Sequence, residues 1–185
     1  MRKITTFTFL TLNGFYKGVN EDISWHLHED EGNDFSEKQL KTKNILLFGR
    51  KTYELMSGFW PTKMAYDSFP IVADGMNSSE KLVISNSLTK TDWNNTKILT
   101  GDWIEQLKQL KNKEGRTITI LGSGTIITQL TDHRLIDEYG FLIDPIAIGK
   151  GTPIFEGIQN KLELTLLDTQ IFKQSGSILL KYGLK

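Results

Sequence analysis

Residues 117–130 read Thr117-Ile118-Thr119-Ile120-Leu121-Gly122-Ser123-Gly124-Thr125-Ile126-Ile127-Thr128-Gln129-Leu130. The β-branched run to Leu121 makes a short strand, two glycines around a serine break it, and Thr125 to Leu130 reads as a helix. A strand that turns through glycine into a helix leaves free backbone N–H groups and the positive end of the helix dipole at the sheet edge. Such an end attracts anions, and Ser123 and Thr125 add hydroxyl donors. Ile127 stands where the Gly-x-Gly-x-x-Gly dinucleotide fingerprint needs its third glycine, so a Rossmann unit is not indicated.

A second unit of the same kind lies upstream. Ile45-Leu46-Leu47-Phe48 is a continuous apolar run, suited to a strand covered on both faces, and Gly49 closes it before a helix from Arg50 to Met56. Gly49-Arg50-Lys51-Thr52 therefore puts two cations at a helix N-terminus, which is unfavourable unless an anion sits nearby. Two such turns on one sheet suit a ligand with separated phosphates.

Farther out, Thr5 to Leu12 is predicted as the first strand, ended by Asn13-Gly14 and followed by a polar loop to about Gly32. A helix is predicted over Asp34 to Lys43, with Asp34 as cap and Glu37 completing a capping box. Lys81 to Ser85 reads as a strand, and Asp102 to Lys111 as a helix behind an Asp cap, with Trp103, Leu107 and Leu110 on one face. Glu138 to Ile143 adds a strand, Pro145, Gly149, Gly151 and Pro153 mark a loop, and Leu162 to Phe172 with Ser177 to Leu184 form a hairpin around Ser175-Gly176. Alternating strands and helices imply a mostly parallel central sheet between helical layers, an α/β/α sandwich with an antiparallel C-terminal hairpin.

The chain has 185 residues, fitting one domain over 1–185, and 38% of them are hydrophobic. Its 22 basic and 22 acidic residues cancel, so no bulk positive field draws nucleic acid or an anionic membrane. It contains no cysteine, which removes disulfides, thiolate chemistry and Cys-rich zinc sites and suits a reducing, cytoplasmic setting. Met1-Arg2-Lys3 before Ile4 to Leu12 imitates a signal peptide, but four threonines break the apolar stretch. No apolar run reaches the ~18 residues a membrane span needs. His26 and His28 lack a defined third ligand, so no metal is expected, and no Gly-x-Ser-x-Gly elbow is present.

The ordered set Thr11-Leu12-Asn13-Gly14-Phe15, Phe48-Gly49-Arg50-Lys51-Thr52-Tyr53-Glu54, Leu121-Gly122-Ser123-Gly124, Leu135-Ile136-Asp137-Glu138-Tyr139 and Pro145 to Phe155 resembles the dihydrofolate reductase superfamily. It looks closest to the branch containing the reductase domain of bifunctional riboflavin-biosynthesis proteins. The resemblance implies an NADPH-dependent reductase that transfers a hydride to a C=N or C=O bond of a small pteridine- or pyrimidine-like substrate. It implies that Gly49, Arg50, Lys51, Thr52, Gly122, Ser123, Gly124 and Thr125 hold the cofactor phosphates. It places Leu12, Asn13, Gly14 and Gly18 by the nicotinamide and Ser85 near the adenosine 2′-phosphate. Asn13 replaces the Asp usual in the riboflavin branch, and Asn86 stands where many relatives carry a basic residue.

Trp25 to Asp30 is similar to the true folate reductases, in which a tryptophan precedes the active-site acid by five positions, so the resemblance implies Asp30 as the proton-supplying acid, whereas counting back from Gly49 points to the region of Asp34. Trp25, Met56, Phe59 and Trp60 are candidate walls of the substrate pocket. The family is commonly homodimeric, and a homodimer is expected here. Two other readings share the cofactor turns: a non-catalytic NADP-binding or regulatory protein, and a flavin- or nucleotide-binding module.

Overall fold

The computed structural model describes residues 1–26 and 30–185, with the side chains of Asp30 and Glu31 outside the description. Its main sheet has eight strands: β1 (Ile4–Thr11), β3 (Ile45–Gly49), β4 (Lys81–Ile84), β5 (Thr96–Leu99), β6 (Ile118–Leu121), β7 (Glu138–Asp144), β9 (Leu164–Ile171) and β10 (Ile178–Leu184). They lie in the order β5-β4-β3-β6-β1-β7-β10-β9. The first six are parallel, and β10 runs antiparallel to both β7 and β9. A small antiparallel ribbon joins β2 (Phe15–Gly18) to β8 (Gly151–Pro153).

Alternation along the strands builds the layers. Ile45 and Leu47 of β3 pack with Leu107 of α5 (Trp103–Lys111) and Ile126, Ile127 and Leu130 of α6 (Gly124–Asp132). Leu46 and Phe48 join a separate cluster with Tyr53 of α2 (Arg50–Phe59) and Val72 and Met76 of α4 (Pro70–Ser78). Successive strand residues point to opposite faces, so helices cover the sheet on both sides. The chain thus forms the expected dihydrofolate-reductase-like sandwich with a terminal hairpin.

The predicted cap of α5 is present: the Asp102 carboxylate accepts from the Glu105 N–H at 3.1 Å. The capping box at Asp34 is not. Helix α1 spans Asp30–Lys41, so Asp34 lies inside it, exposed, and Lys43 leaves the helix at φ 54°. The acidic start Asp30-Glu31 suits the positive end of the dipole better than a start at Asp34. The polar loop before α1 holds β2 and a 3-10 turn at Val19–Glu21. Helix α3 (Lys63–Ser68), α4 and β5 were not anticipated; Thr62, whose hydroxyl accepts from the Ala65 N–H at 3.2 Å, and Pro70 at the start of α4 were their readable signals.

Lys81, the first residue of β4, is fully buried. Its ammonium donates to the carbonyls of Met76, Asn77 and Ser79 at 2.9, 3.1 and 2.6 Å and lies 4.5 Å from the Trp93 ring centroid. It caps the carbonyl end of α4, where the Asn95 amide also donates to the Ser78 carbonyl at 3.1 Å. Burial pushes its pKa down to about 8.

Candidate functional site

Parallel strands bring the ends of β1, β3, β4, β6 and β7 to one sheet edge, where the sequence-predicted residues collect. Gly49 leads into α2 and Ser123 into α6, and neither helix has a side-chain cap or an acidic residue in its first turn. The leading N–H groups of both helices are therefore suited to an anion. The two turns touch: the Gly49 N–H donates to the Ser123 hydroxyl at 2.9 Å, and that hydroxyl donates to the Leu121 carbonyl at 3.1 Å.

Gly122 and Ser123 are both left-handed, at φ 55° and 56°. A Cβ on Gly122 would lie 3.6 Å from Thr52 Cγ2, so the glycine turn abuts the first turn of α2. The Gly122 N–H donates to the Phe7 carbonyl at 3.1 Å, so the donors this turn offers an anion are those at the start of α6, flanked by hydroxyls and two cations. Gly124 differs from expectation in its neighbour. A Cβ there would meet the Tyr16 ring at 2.5 Å, so its open side is taken by an aromatic from β2. Thr125 is exposed beside it, and a cavity of about 340 Å³ continues along α6 past Thr128 and Gln129.

The cations are engaged but not buried. Arg50 pairs with Glu54 at 2.8 Å and Lys51 with Glu21 at 2.8 Å. Hydrogen bonds from Lys17 and Lys51 hold the Glu21 carboxyl below its usual range. Exposed pairs of this kind are worth at most about 1 kcal/mol, so a phosphate can exchange for them. Ser85 follows β4, one strand from Gly49; its hydroxyl accepts from the Ser87 and Leu88 N–H groups at 3.1 and 2.9 Å and so closes its own turn. Asn86 accepts from the Gly101 N–H at 3.1 Å and ties that turn to the loop after β5.

The first loop is pinned to the loop after β7. The Asn13 amide donates to the Ile148 carbonyl at 2.9 Å and accepts from the Thr11 hydroxyl at 2.9 Å, while the Gly14 carbonyl accepts from the Ile154 N–H at 2.9 Å. An amide can do both where a carboxylate could only accept. Leu12 is left 70% exposed, and Gly18 closes the ribbon against Gly151.

Met56, Phe59 and Trp60 form one cluster: the Trp60 indole N–H points at Met56 Sδ at 3.1 Å, and the Phe59 and Trp60 rings lie 5.0 Å apart. Trp25 packs beside His26 instead, its indole donating to the Asp22 carbonyl at 3.2 Å. Asp30 is the first residue of α1; its side chain and the whole of His28 lie outside the described residues.

Sequence reasoning did not find a buried carboxylate at this edge. His26 Nδ1 lies 2.6 Å from Asp144 Oδ2, and Ser177 donates to Asp144 Oδ1 at 2.6 Å. Asp144 is 1% exposed and the His26 side chain 7%. An acid ending the apolar run Gly-Phe-Leu-Ile was the available signal, because a buried carboxylate is kept only with partners.

Fold and edge together define a dihydrofolate-reductase-like protein. Residues 2–176 match the RibD C-terminal domain family, and the chain belongs to it. Its relatives include Bacillus subtilis (strain 168) YyaP, an uncharacterized protein 27% identical over 183 residues, covering 98% of this chain and 94% of that one. The deaminase/5-amino-6-(5-phosphoribosylamino)uracil reductase of Thermotoga maritima superposes with TM-score 0.71 at 12% identity, over 100% of this chain and 57% of that one. Dihydrofolate reductase of Enterococcus faecalis, solved with NADP(H), superposes with TM-score 0.64 at 17% identity, over 99% and 96%. Reductases thus stand among the family and fold neighbours. Among the described residues no helix is long and apolar enough to cross a membrane.

Proposed function

We propose that this chain is an NADPH-dependent reductase that delivers a hydride to a C=N or C=O bond of a small pteridine- or pyrimidine-like heterocycle. The observation that carries the reading is the Gly49–Ser123 hydrogen bond, which joins two uncapped helix N-termini into one anion cradle. Arg50, Lys51, Thr52, Gly122, Ser123, Gly124 and Thr125 would hold the phosphates, and Leu12 to Gly14 with Gly18 would border the nicotinamide. The bound cofactor supplies the hydride. The protein orients the acceptor carbon about 3–3.5 Å from it and provides a proton to the neighbouring heteroatom. Asp30, at the start of α1, is the proposed donor of that proton; Asp34 is exposed inside the same helix.

A cytoplasmic homodimer belongs to the same reading. Leu166, Thr169 and Ile171 of the edge strand β9 pair with Tyr182, Leu180 and Ile178 of β10. Their partners alternate, so the three share a face despite the bulge between Lys181 and Tyr182. Leu166, Ile171 and Ile178 are 52%, 67% and 40% exposed, and an apolar edge of this kind favours association with a second copy. Calorimetric titration tests the cofactor assignment: NADPH should bind, and more tightly than NADH. Equal affinities would remove Arg50 and Lys51 from 2′-phosphate recognition.

A further inference from the structure

Helix α6 turns one face to the cavity of about 340 Å³, which lies within the size range of small-molecule sites, about 300–1,000 Å³. Thr125, Thr128, Gln129 and Asp132 stand at i, i+3, i+4 and i+7 on that face, a row roughly 10 Å long. The opposite wall is Tyr16 from β2, Thr152 and Pro153 from β8 and the turn that follows. That wall is fixed by the core. Phe155 is held at φ 64°, uncommon for a residue with a Cβ, and its ring packs on Tyr139 and Phe141 with centroids 6.0 and 5.8 Å apart. Farther on, the Asp132 carboxylate accepts from the Gln159 N–H at 3.0 Å and ties the turn to the end of α6. A pocket braced in this way loses little affinity to loop ordering.

The polar groups of this cavity have bonding capacity left over. Thr128 is 8% exposed. Among the described residues its hydroxyl has no hydrogen-bond partner, yet it is not sealed in as the Thr8 hydroxyl is; it opens into the cavity. A hydroxyl so nearly buried is stabilised by a ligand that supplies the missing bond. Charge decides which ligand. The lining holds Asp132 and Glu156 and no lysine, arginine or histidine, and among the described residues neither carboxylate forms an ion pair. Lys17, whose ammonium lies 5.3 Å from the Tyr16 ring centroid, is paired with Glu21 and does not line the cavity. Asp132 is the last residue of α6, which has no basic residue in its last turn. An acid at the negative end of a helix dipole is unfavourable unless a cation is near.

We propose that the cavity between α6 and the turn after β8 binds an aliphatic polyamine, a slender molecule with ammonium ends. One ammonium pairs with Asp132, and an N–H one helical turn away donates to the Thr128 hydroxyl. The remaining hydroxyls and the glutamine carbonyls accept the other N–H groups, which a polyamine offers in excess. The Tyr16 ring at the far end adds an aromatic wall of the kind that organic cations favour. The same lining repels a polyanion, so a phosphate-bearing cofactor is kept to the glycine turns, which the cavity borders at Gly124 and Thr125. The proposal stands whether or not the chain is a reductase.

The test is calorimetric titration of the cofactor-free protein at low salt with spermidine and with three four-carbon probes that differ only at their ends: 1,4-diaminobutane, 1,4-butanediol and succinate. Both amines should bind at one site per chain, spermidine the more tightly, and their affinity should fall as salt is raised; butanediol and succinate should not bind. Asp132→Asn can still accept from the Gln159 N–H but has lost its charge, and it should weaken spermidine by about tenfold or more. Thr128→Val keeps the shape of the side chain and should weaken it by about threefold to tenfold. Asp92→Asn, at an acid 88% exposed and outside the cavity, should leave it unchanged. Melting temperatures accompany each variant; if Asp132→Asn is unfolded, Thr128→Val decides. Three results overturn the proposal: no binding of either amine at millimolar concentration, butanediol bound as tightly as diaminobutane, or spermidine bound by Thr128→Val or Asp132→Asn as tightly as by Asp92→Asn.

Discussion

The backbone N–H of Gly49 and the hydroxyl of Ser123, 74 residues apart in sequence, form a 2.9 Å hydrogen bond that fastens two glycine turns together. Each turn alone is a common structural feature. Joined, they bring two helix N-termini without side-chain caps to one place, an arrangement suited to an anion.

Ser123 carries both the link and a left-handed backbone, and the two can be separated. Ser123→Ala loses the hydrogen bond, worth about 1 kcal/mol, and keeps the strain. Ser123→Gly loses the bond but relieves the strain, worth roughly 1–2 kcal/mol. Denaturant unfolding should therefore rank glycine above alanine by about 1 kcal/mol, with NADPH bound more weakly than by wild type in both. Equal stability of the two variants would mean that the turn is not held as described.

Arg50 pairs with Glu54. If it transfers to a phosphate, Arg50→Ala should weaken NADPH by roughly 1–3 kcal/mol, and NADH by clearly less. The difference should shrink as salt is raised, because the site is exposed. A variant that loses both cofactors equally places Arg50 on the shared diphosphate instead.

Much of this edge was legible in the sequence, because glycine turns between an apolar strand and a helix have local causes. The layers, the terminal hairpin and the Asp102 cap follow from periodicity and caps in the same way. What escaped notice depends on long-range placement. No local rule brings His26 to Asp144 across 118 residues, puts Tyr16 over Gly124, or turns Lys81 under α4. The Asp34 capping box failed for a related reason: its pattern is complete in sequence, but the helix had already begun at Asp30.

That displacement changes an expected result. As a cap, Asp34 would cost about 0.5–2 kcal/mol when replaced by alanine. As an exposed residue inside α1, Asp34→Ala should change stability by less than about 0.5 kcal/mol. A thermal melt decides between the two positions.

Lys81 gives a pH signature. Its folded-state pKa of about 8 lies below the 10.5 of the unfolded chain. Between those values the unfolded chain binds more protons, so stability should rise as pH increases through that window. Urea unfolding at pH 8 and pH 10 should show this rise in wild type and a smaller one in Lys81→Met. Parallel slopes would mean that the carbonyl cage keeps the folded lysine charged as firmly as water does.

The β9 edge predicts assembly. Light scattering behind a sizing column should give a dimer for wild type and a monomer for Leu166→Glu/Ile171→Glu, with the far-ultraviolet spectrum unchanged. A wild-type monomer at high protein concentration would leave that face to another partner.

The central claim, that two turns act as one cradle, is tested most directly by a crystal structure of the protein soaked with NADPH. The account predicts phosphate oxygens within hydrogen-bond distance of both the Gly49–Thr52 and the Gly122–Thr125 turns, and the nicotinamide beside Leu12 to Gly14. NADPH density resting on one turn alone, or lodged in the cavity along α6 with both turns free, would contradict it.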